Sequence, residues 1–560
     1  MEKVIKWWKT DKRYITWGKA LFMAVLPYFS CLLYCALRGK GIGEVYLPSS
    51  GLNDELFYYK QVEGILQFGY PQGYFGFNES HAPYLSFSAW SPVLVLPWVL
   101  WGLIFGWNLM SPIICNIVLM TIALFLFTLL AKPDGKQMAV LALLFLLYVP
   151  FAWYMLSCMP EIICMSLLLI FYGFVIAYLR KKSRALLAAM FVLSGTLTLM
   201  RPYMLLFLLL PALFWIFGTP EEKACGIERG GTKGGGGRRR FFAAAGSALV
   251  IGAVLASYAV INHYLTAAYF EPLYRFDWLA AFFEKGMGEG IRNLLSSLYY
   301  SGRSFLGYMR QALIDGIAPG SIFCCYIAML LLLLYQSVKD FGRFRRIKKE
   351  AGLRGAEHKQ TEAAFSWLIV EGHMAVSFLG MFAAQLLMKN LYDGCKHLMT
   401  FLAAGFFLIS LMKTTAFKKA VLLGVLFGYF FAYNETGFRD YQASFLETAV
   451  ESEVERWEEV LGSRLTLEEG ETPNYDNVVI WTLSDEVSGK QALTGWQYLY
   501  ALPPGFGISC CTREYVLNSF DALKSRYLCV APGGSIEMKC VESGYEKIVE
   551  NEYAVIYRRY

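Results

Sequence analysis

Stretches of about twenty mostly apolar residues recur along this chain, parted by clusters of lysine and arginine, and nothing else restricts its fold so strongly. A helix of ~20 apolar residues matches the ~30 Å hydrocarbon core of a bilayer. Candidate spans fall at 17–37, 111–131, 137–156, 162–179, 186–200, 203–218, 241–262, 319–336, 364–388, 398–412 and 420–433. Basic clusters lie at Lys3–Lys19, Lys132–Lys136, Arg180–Arg184, Lys223–Arg240, Lys339–Lys359 and Lys413–Lys419. Basic loops favour the cytoplasm. About eleven spans with a cytoplasmic N-terminus alternate through every cluster and leave the C-terminus outside. Charged residues are 17% of the chain, against about 25% in soluble domains. No small-x-small cleavage pattern follows 17–37, which therefore reads as a retained helix.

One apolar segment disturbs the alternation. Ala89–Trp107, "AWSPVLVLPWVLWGLIFGW", carries Pro92, Pro97 and four tryptophans. Counted as a span, it would move Lys132 and Arg180–Arg184 outside. Tryptophan favours the interface, and an interrupted segment can sit in one leaflet under protein cover. The expectation is a re-entrant or juxtamembrane element within a first outer loop, 38–110. A second outer loop, 263–318, carries helical stretches such as Trp278–Leu313. The segment Gly230–Arg240, "GGTKGGGGRRR", lacks the GxxxxGK[ST] order of a phosphate loop and reads as a cytoplasmic linker.

The charge divides the chain into 1–433, a transmembrane domain, and 434–560, a tail. From Asn434 onward there are 11 basic and 21 acidic residues, although the whole chain carries +7. Leu446, Val450, Val454, Trp457 and Leu461 share a helical face. "NVVIW", "YLCV" and "YAVIYRR" follow as short strand signals between Gly, Pro and Ser. The fold class is thus a polytopic α-helical membrane protein, N-terminus in and C-terminus out, with a small extracytoplasmic α/β domain. The thirteen cysteines show no metal-ligand spacing. In an oxidising compartment, Cys510 and Cys511 could each bond Cys529 or Cys540.

This topology brings chemistry to one level. Asp54–Glu55 in the first loop, Glu161 in "SCMPEIICMS", Arg201 in "LMRPYML" and Lys396–His397 in "LYDGCKHLM" all fall at outer helix ends. Ionisable groups at that depth are costly unless paired or lining a polar cavity. Each also has a plainer reading. The paired acids suit a solvated loop, Glu161 suits a helix start, and Arg201 could snorkel to lipid phosphates. Tyr58 and Tyr59 could stack on a sugar or belong to an interfacial belt. Glu79 and His81 stay unassigned, and Glu371 and His373 fall within a helix, towards its cytoplasmic half.

"LNDELFYYKQVEGILQFGYP", "SPVLVLPWVLWGLIFG", "MPEIICMSLLLIFYGFVIAYLRKK" and "MRPYMLLFLLLP" together resemble the C-type glycosyltransferases, integral membrane enzymes that use polyprenyl-phosphate sugars. The likeness covers roughly residues 15–220, with a weaker echo at "DGCKHLMTFLAAG". It implies a catalytic acid at Asp54 or Glu55 and a second acid at Glu161. Glu161 stands where the family more usually has Asp, and Lys396–His397 where it often has Arg-Tyr. The resemblance further implies inverting transfer from a lipid-phosphate sugar to an extracytoplasmic acceptor, at the plasma membrane. That acceptor would be a cell-wall polymer, a lipid-linked glycan or a protein. A carboxylate base suits the acceptor hydroxyl, and Arg201, Lys389, Lys396 and His397 suit the leaving phosphate. No cofactor is required, a divalent metal is optional, and no nucleic acid is involved. The alternatives are a lipid-linked saccharide flippase, which would place its charges mid-membrane and show internal repeats, and an inactive scaffold of the same fold.

Overall fold

In the computed structural model, the structure describes residues 12–37, 39–45, 47, 54–69, 75–79, 91–217, 235–265, 277–315, 318–354, 358–387, 391–411, 451–469 and 474–560. Among these, six helices are long and apolar enough to cross a membrane: Thr16–Ala36, Ser111–Ala131, Glu161–Lys181, Gly237–Ile261, Ile322–Lys349 and Ala363–Leu387. Four more expected spans appear as shorter apolar segments, at Gly135–Leu147, Arg184–Met200, Pro202–Phe217 and His397–Ile409. The expected span 137–156 is a correction. Its helix ends at Leu147 and restarts as Pro150–Met155, because Pro150 has no N–H to continue the ladder. The candidate at 420–433 lies outside the described residues.

Helix ends follow their residues. Asp134 caps Gly135–Leu147 in a reciprocal box with Gln137. Arg180 donates to the carbonyls of Leu130 and Ala131, so a basic residue of one span satisfies the exposed end of another. Glu161–Lys181 is the central helix, with 78% of its apolar window buried; Gly237–Ile261 is peripheral, with 6%.

Ala89–Trp107 contributes the 14-residue helix Pro92–Phe105, shorter than the ~20 residues of a span. It ends at Gly106, whose φ of 84° only glycine adopts freely. It packs closely on the first-loop helix Asp54–Phe68: a Cβ on Gly102 would lie 2.6 Å from Leu66 Cδ1. Its other side presents Leu100, Leu103, Ile104 and Phe105, all exposed. The second loop holds two helices, Asp277–Glu284 and Met287–Asp315.

The tail helix is Glu451–Arg464, with Val454, Trp457 and Leu461 buried; Leu446 and Val450 lie outside the described residues. The three strand signals become β2 (Val478–Thr482), β6 (Tyr527–Val530) and β8 (Val555–Arg558). With β1 (Phe75–Phe77), β5 (Gly507–Cys511) and β7 (Glu546–Glu550), they form a sheet ordered β1-β5-β2-β6-β8-β7. A separate hairpin pairs β3 (Ser484–Val487) with β4 (Lys490–Leu493).

Strand β1 comes from the first loop. Phe75–Phe77 runs parallel to β5, with Phe75 opposite Ile508 and Phe77 opposite Cys510. A shared sheet puts the first loop and the tail on one side of the membrane. The number of crossings between them is therefore even, as ten further spans require. If those ten cross, Pro92–Phe105 does not.

Every residue of β2 and β5 is buried, as in parallel sheets covered on both faces. Val479, Trp481 and Cys510 join the cluster that runs into the membrane helices, whereas Ile480 and Cys511 join the outer one. Cys510 and Cys511 thus face opposite ways, as the period of two demands. With Cys529 and Cys540 they remain free, buried thiols.

Candidate active site

Asp54 and Glu55 open the first-loop helix, where acids complement the helix dipole. Adjacent residues on a helix point apart, and the two acids differ accordingly. Asp54 is partly exposed. Glu55 is fully buried, and its Oε2 accepts the Cys158 backbone N–H at 2.8 Å. Glu55 thereby holds the turn that leads, three residues later, to Glu161.

Asn116 braces the same turn from the span Ser111–Ala131. Its side chain donates to the Ser157 carbonyl at 2.7 Å and the Tyr154 carbonyl at 3.3 Å, and accepts from Trp98 Nε1 at 2.8 Å. Sequence reading missed it. A lone asparagine in "SPIICNIVLM" was the available signal, since a buried amide in a span must find partners.

Glu161 starts its helix directly after Pro160. Arg201 follows the last turn of Arg184–Met200 in extended backbone (φ −142°), because Pro202 disfavours helix in the residue before it. The two side chains meet inside the protein: Arg201 Nη2 lies 3.1 Å from Glu161 Oε1 and donates to Tyr58 Oη at 2.9 Å. Glu161 is 2% exposed and Arg201 5%. The other carboxylate oxygen, Glu161 Oε2, is buried with no hydrogen-bond partner among the described residues.

Tyr58 sits one helical turn from Asp54, on the same face. Burial pushes its phenol well above the ordinary value; Arg201 opposes the shift, while Asp54 and Glu161 add to it. Tyr58 therefore keeps its proton and joins the two acids and the arginine into one electrostatic group. Tyr203, one residue past Pro202, bonds His397 Nδ1 at 2.9 Å, which brings His397 to the same neighbourhood.

The remaining sequence candidates divide. Tyr59 stacks on Trp107 and meets Tyr500 of the tail edge-on, so it packs the interface with the tail. Lys389 and the Lys396 side chain lie outside the described residues, as does His81. His373, in the helix His358–Leu387, bonds the Leu206 carbonyl of the helix Leu205–Phe217 at 2.6 Å. Among the described residues, no group of three His, Cys, Asp or Glu is placed to hold a metal.

Glu79 has a structural part. Its carboxylate accepts from Ser525 N–H, Ser525 Oγ, Lys524 N–H and Tyr515 Oη, and its own N–H donates to Ser509 Oγ. Lys60 makes a second tie, donating to the Leu502 carbonyl at 2.5 Å. The tail thus roofs the first-loop acids: Cys510 lies within electrostatic reach of Asp54, and Tyr500 within reach of Glu55.

No family model matches the chain, and no curated protein matches it. Among solved structures it is similar to the archaeal oligosaccharyltransferase AglB from Archaeoglobus fulgidus, in complex with an inhibitory peptide and a dolichol-phosphate. The identity is 12% and the TM-score 0.43, over 97% of this chain and 73% of that one. It is also similar to ArnT from Cupriavidus metallidurans in the apo state, at 9% identity and a TM-score of 0.41 over 95% and 97% of the two chains. The same protein bound to undecaprenyl phosphate gives 10% and 0.38 over 96% and 98%.

Proposed function

We propose that this chain is a membrane glycosyltransferase of the C-type architecture, moving a sugar from a polyprenyl-phosphate donor to an extracytoplasmic acceptor. One observation carries the reading: buried Arg201 is fixed between Glu161, whose second oxygen has no partner among the described residues, and Tyr58, which lies one helical turn from a partly exposed Asp54. Buried polar atoms are nearly always satisfied, so an orphaned carboxylate oxygen beside a buried arginine is a place for a polar ligand.

Each group has one task. Asp54 takes the proton from the acceptor hydroxyl as it attacks the anomeric carbon, giving inversion. Arg201 meets the charge that develops on the departing lipid phosphate. Glu161 and Tyr58 hold the guanidinium in place, while Glu55 and Asn116 position the Glu161 turn. Lys396, His397 and Lys389 add positive charge on the donor side. The first loop and tail face away from the cytoplasm, at the plasma membrane, a placement that the basic loops favour.

The test is transfer by purified protein in nanodiscs, supplied with a polyprenyl-phosphate hexose and a hydroxyl acceptor. Release of polyprenyl phosphate together with a glycosylated product supports the reading. Donor movement across a proteoliposome bilayer without bond cleavage would replace it with transport.

A further inference from the structure

The tail contains a crevice lined by none of the Asp54–Arg201 group. Strand β2 leads to β5 on one side, and β5 then leads across it to β6 on the other. Open parallel sheets take ligands at the carboxyl ends of strands where the connections part in this way. A cavity of about 410 Å³ opens one strand over from that β2–β6 point, at the carboxyl ends of β2 and β5, between Leu483–Glu486, the β3–β4 hairpin and Thr512–Glu514. Small-molecule sites usually span ~300–1,000 Å³.

The usual anion position beside such a crevice is already occupied. Helix Ser535–Glu542 follows Gly533 and Gly534, and its N-terminus would suit a phosphate. Asp485 sits there instead, accepting from Ile536 N–H at 2.8 Å, Ser535 Oγ at 2.7 Å and Arg513 Nε at 2.9 Å. A Cβ on Gly534 would fall 2.3 Å from Asp485 Oδ2, so glycine is what lets the acid come this close.

The lining that remains selects against a second negative charge. Asp485, Glu486 and Glu514 line the crevice with one guanidinium, and Arg513 is shared between Asp485 and Glu486, the latter at 3.6 Å. Carboxylates, an amide from Gln491 and a half-open arginine are the groups that hydrogen-bond hydroxyls and amines. We propose that this crevice binds a saccharide without acidic groups, neutral or amino-bearing, as a holding site for the acceptor. The choice of a saccharide among hydroxyl-rich molecules rests on the transfer reading; the exclusion of anions does not.

The experiment is calorimetric titration of the full chain in nanodiscs with chitotriose, its fully de-N-acetylated trimer and trigalacturonate. It is run on the wild type and on Asp54→Asn, so that binding is read without turnover. Saturable binding of the neutral or the cationic trimer, but not of the uronate, is expected. Glu486→Gln with Gln491→Ala should weaken it about tenfold at an unchanged melting temperature, and Glu514→Gln alone serves if that pair fails to fold. The proposal is overturned if neither trimer binds, if the variants bind equally well, or if trigalacturonate binds as tightly. Any of these outcomes leaves the transfer assay to stand or fall separately.

Discussion

Ser525 grips Glu79 twice, its backbone N–H and its hydroxyl both reaching Glu79 Oε1 at 2.6 Å across 446 residues of sequence. The grip joins the first loop, which carries the acids, to the tail that covers them. Glu79→Ala leaves several buried donors unpaired at a cost of about 3 kcal/mol, whereas Glu79→Gln keeps one acceptor oxygen and loses less. Limited proteolysis of the first loop, followed beside thermal melting, should show the alanine variant cut sooner. Equal protection in both would mean that β1 and the Lys60 tie hold the loop without Glu79.

The two first-loop acids should separate on mutation. Asp54→Asn is expected to lower turnover at least ~10²-fold with little effect on stability. Glu55→Gln retains an oxygen for the Cys158 N–H and should keep most activity, while Glu55→Ala should lose it. Rescue by the amide marks a positioning role. Turnover lost equally in Glu55→Gln and Asp54→Asn would reassign the base.

Arg201 and Glu161 are a buried pair, so removing one strands the other. Arg201→Gln should destabilise the fold by about 3–5 kcal/mol. Adding Glu161→Gln should restore most of that stability but none of the turnover. Arg201→Lys should rescue turnover poorly if the lipid phosphate is met by two guanidinium nitrogens, since an ammonium cannot copy that fork. Melting curves beside single-turnover transfer measure both effects; full activity in the double variant would refute the phosphate role.

Asp485 gives the tail a definite response to acid. Burial raises its pKa, but hydrogen bonds from Ile536, Ser535, Glu486 and Arg513 outweigh burial and hold it below its ordinary 3.8. A depressed carboxylate contributes stability that is fully present above its unfolded value and is lost as pH falls through the folded one. The melting temperature of wild type should thus drop below about pH 4, and that of Asp485→Asn should start lower and change less. Parallel pH profiles of the two would contradict the assignment.

Hydropathy and basic clusters made the membrane helices legible, because span length and loop charge are local properties. The meeting of Glu161 with Arg201 followed from topology alone, since both lie at helix ends on one level. Glu55 and Glu79 were not legible. An acid that caps a distant N–H has the same local sequence as one that faces water, and only the fold distinguishes them. Strand β1 was hidden for a related reason: Phe75–Phe77 is too short to show alternation, and its partner strand lies in the tail. The break at Pro150 was readable, because proline disfavours a helix interior and is at home in a first turn, where it stands here.

The pairing of Phe75 with Ile508 also sets a clock for synthesis. A ribosome adding ~5–20 residues per second needs roughly 20–90 s to travel from one partner to the other. Throughout that interval the first loop stands on its side of the membrane without its sheet. Asp54 gains its cover only when β5 and Cys510 emerge, so a chain truncated before them would lack it.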